Sequence, residues 1–225
     1  MSAVPRWALL SAAGAPLFLI GGWTLAQAAQ PDEFDPVRQT ISALAAADAD
    51  QRWIMTVGLA GLGICHLATA LGLVVAAPAG RGLLALGGLA TLVLVAFPQH
   101  PGGGSTTHVV AAGVAFVALA VWPALAVPHR AAPTVPSRAA PTVPSRAAPP
   151  LGRARRDPPD GSALRVRWAA LAVTAVLLGL LGWFAVEFFT DGAWIGLTER
   201  LVAAAEAVVP LAAVLAALAS GRRPG

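Results

Sequence analysis

HVVAAGVAFVALAVWPALAV, residues 108–127, decides the class of this protein. Its twenty positions hold no aspartate, glutamate, lysine or arginine. A helix rises about 1.5 Å per residue, so the run spans roughly 30 Å, the thickness of a bilayer's hydrocarbon core. Barrel strands would read as short segments alternating apolar and polar positions. This run is continuous, and in lipid a helix satisfies its own backbone hydrogen bonds. Working outward, five more such runs appear: Trp7–Ala29, Trp53–Ala77 and Gly82–Phe97 before it, Trp168–Phe189 and Gly196–Ser220 after it. The third is the shortest and glycine-rich, enough to cross a locally thinned bilayer. Composition agrees: 57% of 225 residues are hydrophobic, 12% are charged, and mean hydropathy is +0.71. That is too little charge to cover a soluble domain. The expected fold is all-α, a polytopic membrane protein with six transmembrane helices in one bundle.

All fifteen basic residues are arginine, which reads as GC-rich base composition. A pI near 11.2 would point to nucleic acid in a soluble chain. Here the arginines flank apolar runs, where they set topology, and no nucleic-acid partner is expected. With the N-terminus inside, Arg6, Arg81, Arg130, Arg138, Arg146, Arg153, Arg155, Arg156, Arg165, Arg167, Arg222 and Arg223 are cytoplasmic. Arg38, Arg52 and Arg200 are outside. Twelve against three predicts both termini inside and a plasma-membrane location. The first run also resembles a signal peptide, ending in Ala26-Gln27-Ala28, but it is long for an h-region and carries Pro16 and Gly21-Gly22. Retention is expected.

Residues 128–165 separate helices one to four (1–127) from helices five and six (166–225). This segment repeats AAPTVPSR at 131–138 and 139–146. Prolines at that density block helix and sheet, so a disordered cytoplasmic loop is expected. The eight arginines from Arg130 to Arg167, seven of them in this segment, suit an anionic lipid surface, though slippage expansion of a solvated loop explains the segment as well. Small residues at Gly58, Gly61, Ala68/Gly72, Gly87-Gly88 and Gly179/Gly182 are expected at helix crossings. Cys65 is alone inside a run, so no disulfide or CxxC pair exists.

Polar residues at membrane depth are costly and mark candidate sites. Helical rise places His66 about 20 Å and Glu206 about 15 Å below the outer surface. Their similar depth predicts a contact: a proton-linked or ligand-binding pair, or an interhelical hydrogen bond that fixes packing. A second cluster belongs to the outer face: His100, His108, Glu187, Glu199, Arg200 and Ser42, with Thr40. Residues Gln39–Ala47 form a short amphipathic segment suited to the interface. Mutual satisfaction of charges at helix ends explains this cluster too. The histidines and carboxylates raise a divalent metal, yet no HxxxH or HExxH spacing occurs. Haem fails because His66 lies deep, His100 and His108 at the outer boundary, and His129 on the opposite side. No GxSxG elbow or Walker loop is present. No cofactor, metal or catalytic residue is expected.

Gln39-Thr40-Ile41-Ser42-Ala43-Leu44, Ala96-Phe97-Pro98-Gln99, His108 and Gly196-Leu197-Thr198-Glu199-Arg200 together resemble the bacterial membrane family called domain of unknown function 998. That resemblance covers the chain outside the proline-rich loop and implies six spans, with distant similarity to the Frag1/DRAM/Sfk1-like group. Members often carry an aspartate after the Phe-Pro, where this chain has Gln99. The family carries no assigned activity. The resulting expectation is a non-catalytic protein that organises or senses the membrane, or binds membrane lipid or a small molecule at its outer face. The alternatives are a proton-coupled transporter using His66 and Glu206, and, third, a metal-dependent membrane enzyme.

Overall fold

The computed structural model describes residues 4–31, 34–100, 105–127 and 161–221. Six helices run through them: α1 Arg6–Ala28, α2 Trp53–Gly72, α3 Pro78–Ala96, α4 Thr106–Ala126, α5 Gly161–Phe189 and α6 Ile195–Gly221. All six are long and apolar enough to cross a membrane. Large apolar side chains ring the outside, among them Leu17 at 72% and Leu71 at 68% exposure. In water such a belt would drive aggregation; in lipid it is the expected exterior. The protein is a polytopic membrane bundle, and six crossings return its two ends to one face. The AAPTVPSR repeats lie outside the described residues.

Helix boundaries depart from the hydropathy runs at two places. The second run was drawn to Ala77, but α2 stops at Gly72 and a turn over 73–77 follows. Val74, Val75, Ala76 and Ala77 are apolar, so hydropathy cannot see the break. Pro78 makes it, since its fixed φ suits the first position of α3. Arg81 seals the turn, its Nε donating to Ala70 O at 2.8 Å at the end of α2. At the other place α5 begins at Gly161, so residues 161–165, assigned above to the loop, are helical.

Close backbone approach organises the first three helices. A Cβ on Gly63 would lie 2.8 Å from Gly88 O, and one on Gly88 would lie 2.8 Å from Gly63 O. The α2–α3 crossing is therefore backbone against backbone, which lipid-embedded helices achieve with glycine. Ser11 Oγ and Thr69 Oγ1, 2.9 Å apart, tie α1 to α2. Helix α1 supplies Ala8, Ala12, Ala15, Leu19 and Ala26 to the core. Gly179 and Gly182 do not serve a crossing: nothing lies within 4 Å of a Cβ built on either. Helix α5 is peripheral, and only Thr174 and Leu177 are buried along it. Thr174 accepts a hydrogen bond from the Ala124 N–H at 3.1 Å, one residue past Pro123, where proline disturbs the α4 ladder.

The segment Gln39–Ala47 does not lie along the interface. Ser42–Ala45 form a 3₁₀ turn that plugs the outer end of the bundle, burying Ile41, Leu44 and Ala45. Leu44 is wholly buried, which the apolar interior favours over a headgroup environment.

Candidate functional site

Glu199 builds the outer end of the site. It sits one turn into α6 and is buried. Its carboxylate accepts from the Ile41 N–H and from Ser42 Oγ, the latter at 3.4 Å. One acidic side chain thus fixes the 3₁₀ turn to α6 and satisfies a buried donor that the turn leaves open. The neighbouring loops lock around it: the Ala47 N–H donates to Gln99 O at 3.0 Å, and the Leu197 N–H to Val37 O at 3.1 Å.

His108 is buried at the start of α4, with Nδ1 2.9 Å from Phe97 O. A carbonyl only accepts, so Nδ1 carries the hydrogen. In the neutral ring Nε2 then holds a lone pair, and Nε2 is buried without a partner.

Two neighbouring spaces adjoin these groups. An outer crevice of about 310 Å³ runs between α4 and α5. Its polar end is Thr40, Ser42, Gln99, His108 and Glu199. Its long apolar wall includes Val109, Phe116, Val117, Leu181, Phe184 and Phe188. Phe116 and Phe184 pack at a tilt with ring centres 5.3 Å apart and Phe184 meets Phe188 at 6.1 Å, so the wall is a run of three phenylalanines in contact. Val117 and Phe189 on its rim are exposed, so the crevice opens sideways toward lipid. An inner chamber of about 50 Å³ lies beneath, lined by His66, Thr91, Glu199 and Glu206 among apolar neighbours. Ser42, Ala112, Phe116 and Glu199 line both spaces.

His66 and Glu206, expected at similar depth, do share this chamber. They do not hydrogen-bond each other. Both ring nitrogens of His66 and Oε1 of Glu206 are buried without a partner among the described residues. Thr91 donates its hydroxyl hydrogen to Gly87 O at 2.9 Å, so it offers the chamber lone pairs. Such orphaned groups are uncommon and call for a polar occupant. A 50 Å³ space exceeds the roughly 10–15 Å³ one water needs.

The expected outer cluster of six residues therefore divides. Ser42, His108 and Glu199 converge; His100, Glu187 and Arg200 line neither space. His100 is exposed. Glu187 instead shapes the α5–α6 turn, its Oε2 accepting from the Trp194 N–H at 2.9 Å. Arg200 donates through Nη1 to Pro36 O, Gln39 O and Gly196 O at 2.8, 2.8 and 3.0 Å. It holds the first outer loop against α6. Among the described residues no group of three or more His, Cys, Asp or Glu is placed to hold a metal, so the expected histidine–carboxylate cluster does not assemble.

Sequence reasoning missed Thr91 and the aromatic wall. Phe184 and Phe188 stand four apart on α5 and so share a face, a signal that was available. A larger groove of about 470 Å³ lies at the other end of the bundle, between α4, α5 and α6. Its lining is apolar apart from Ser220 and the Trp122 indole, so it lacks groups that would select a ligand.

No curated protein and no solved structure matches this chain. A family of proteins of unknown function does, over residues 12–216, a stretch that takes in most of α1 and α6, the four helices between them, the 3₁₀ turn and both spaces. The chain is a member of that family, DUF998.

Proposed function

We propose that this protein is a non-catalytic binder of a membrane amphiphile, taken up from the outer leaflet of the plasma membrane into the α4–α5 crevice. The observation that carries this reading is the crevice's two-part lining, a phenylalanine wall open to lipid that ends in Ser42, His108 and Glu199. Its volume sits at the low end of ordinary ligand pockets, about 300–1,000 Å³. An aliphatic tail suits the wall and a polar head suits the end. The arginine asymmetry supplies the outer-leaflet assignment.

Gly113 gives a clean test. It lines the crevice, and a Cβ built on it meets nothing within 4 Å, so Gly113→Leu grows into the crevice without backbone clash. Gly179→Leu is the matched control, because Gly179 also has open space and lines neither space. A lipid with a photoreactive acyl chain is expected to label α4 and α5 in the parent and in Gly179→Leu, and to lose that labelling in Gly113→Leu. Equal labelling of all three proteins would sink the proposal.

A second reading, proton-coupled transport, draws on the chamber's reach from the outer end to His66 and Glu206. Against it, Ala8, Ala12, Leu73, Leu84, Trp122 and Val214 form a buried apolar cluster in the other half of the bundle. A space open on one side only suits binding. Proton flux in proteoliposomes that disappears in Glu206→Gln would favour transport instead.

A further inference from the structure

We infer that the amphiphile carries a primary or secondary ammonium head, which seats in the inner chamber between Glu199 and Glu206. This rests on the crevice being an amphiphile site. The two spaces adjoin, with Ser42, Ala112, Phe116 and Glu199 lining both, so a tail held by the phenylalanines brings its head to the side of the chamber. The polar lining there is mostly acceptors, the exception being the ring N–H that a neutral His66 must carry on one of its two unpartnered nitrogens. Glu206 Oε1 is buried and unpartnered. Thr91 has its hydrogen committed to Gly87 O, Ser42 to Glu199, and His108 Nδ1 to Phe97 O. Both nitrogens of His66 are free, and one of them accepts in the neutral ring.

Two carboxyl groups lie in this lining and no arginine does. Arg200, adjacent in sequence, lines neither space and donates through Nη1 to two carbonyls of the outer loop and one of α6. Buried charge in protein or lipid needs a partner; the Arg200 guanidinium lies close enough to supply one to Glu199, whereas Oε1 of Glu206 has no partner among the described residues. A phosphate or sulfate head would add like charge beside both carboxyl groups. A hydroxyl head would bring a single donor to several acceptors. An ammonium brings two or three N–H donors together with the missing charge. A quaternary ammonium has no donor and prefers an aromatic cage, whereas Phe116 is the one aromatic side chain in the chamber.

The head must do the selecting. A tail that moves from acyl chains to phenylalanines leaves one apolar medium for another and gains little.

The experiment uses the full chain in nanodiscs of uncharged lipid, with dodecylamine, dodecanol and dodecyl phosphate as probes. Bound probe is counted by native mass spectrometry. Dodecylamine is expected to bind at one site, at least tenfold tighter than the other two. Glu206→Gln should lower its affinity tenfold or more and bring it level with dodecanol. Gly113→Leu should abolish binding of all three. Dodecanol or dodecyl phosphate binding as tightly as the amine, with Gly113→Leu still abolishing it, overturns the ammonium head and leaves the crevice reading intact. Amine binding unchanged in Glu206→Gln also overturns the head assignment. Binding that survives Gly113→Leu overturns the crevice reading itself.

Discussion

Glu199 has two separable duties, and substituting it in two ways tells them apart. Its carboxylate accepts the hydrogen of the Ile41 N–H, a donor on a residue that is 97% removed from solvent. Glu199→Ala leaves that N–H unpaired, and an unsatisfied buried donor costs about 1–3 kcal/mol. The Ser42 bond, at 3.4 Å, adds little, and the lower half of that range would follow if water reached the Ile41 amide. Glu199→Gln keeps a carbonyl oxygen for the Ile41 N–H while its amide can donate to Ser42. Its expected loss is below about 1 kcal/mol. Every 1.4 kcal/mol is tenfold in an equilibrium constant, so Ala and Gln should differ by several-fold or more in folding equilibrium. The assay is unfolding in mixed detergent micelles with rising SDS, followed through the seven tryptophans. Amine selectivity should fall in both variants, since both lack the charge. If Ala unfolds within about 0.5 kcal/mol of the parent, or Gln is as damaging as Ala, the capping role assigned to Glu199 is wrong.

Gly88→Ala should destabilise by about 1–3 kcal/mol in the same titration, because its Cβ would meet the Gly63 carbonyl at 2.8 Å where no flexible side chain can yield. Gly179→Ala should change it by less than about 0.5 kcal/mol. Arg200→Ala should cost about 1.5–3 kcal/mol by releasing two carbonyls of the outer loop and one of α6, and Arg200→Lys should recover much of it, since one nitrogen, Nη1, makes all three bonds. Hydrogen exchange at residues 36–39 reports the same loss directly. For orientation, Asp48→Cys is expected to react with an impermeant maleimide in intact cells and Val75→Cys after permeabilisation. Cys65 is buried and should stay silent in both. The reverse pattern would invert the topology.

Helix number and fold class were legible along the chain because each depends on a local sum, about twenty apolar residues per crossing. Depth was legible too, since helical rise placed His66 and Glu206 at similar levels and they share a chamber. Facing was not. In a soluble helix the core side is apolar and the other side polar, so the buried face can be read. Here the lipid side and the core side are both apolar, and the sequence holds no contrast between them. Gly58 and Gly179 look alike as letters, yet a Cβ on the first would meet Phe18 O at 2.8 Å and one on the second meets open space. The same blindness hid the Phe116–Phe184–Phe188 wall, whose members come from two helices. It also grouped Glu187, Glu199 and Arg200 by level alone. Tertiary packing separated them, giving Glu187 to a turn, Arg200 to loop carbonyls, and Glu199 to the point where crevice and chamber meet.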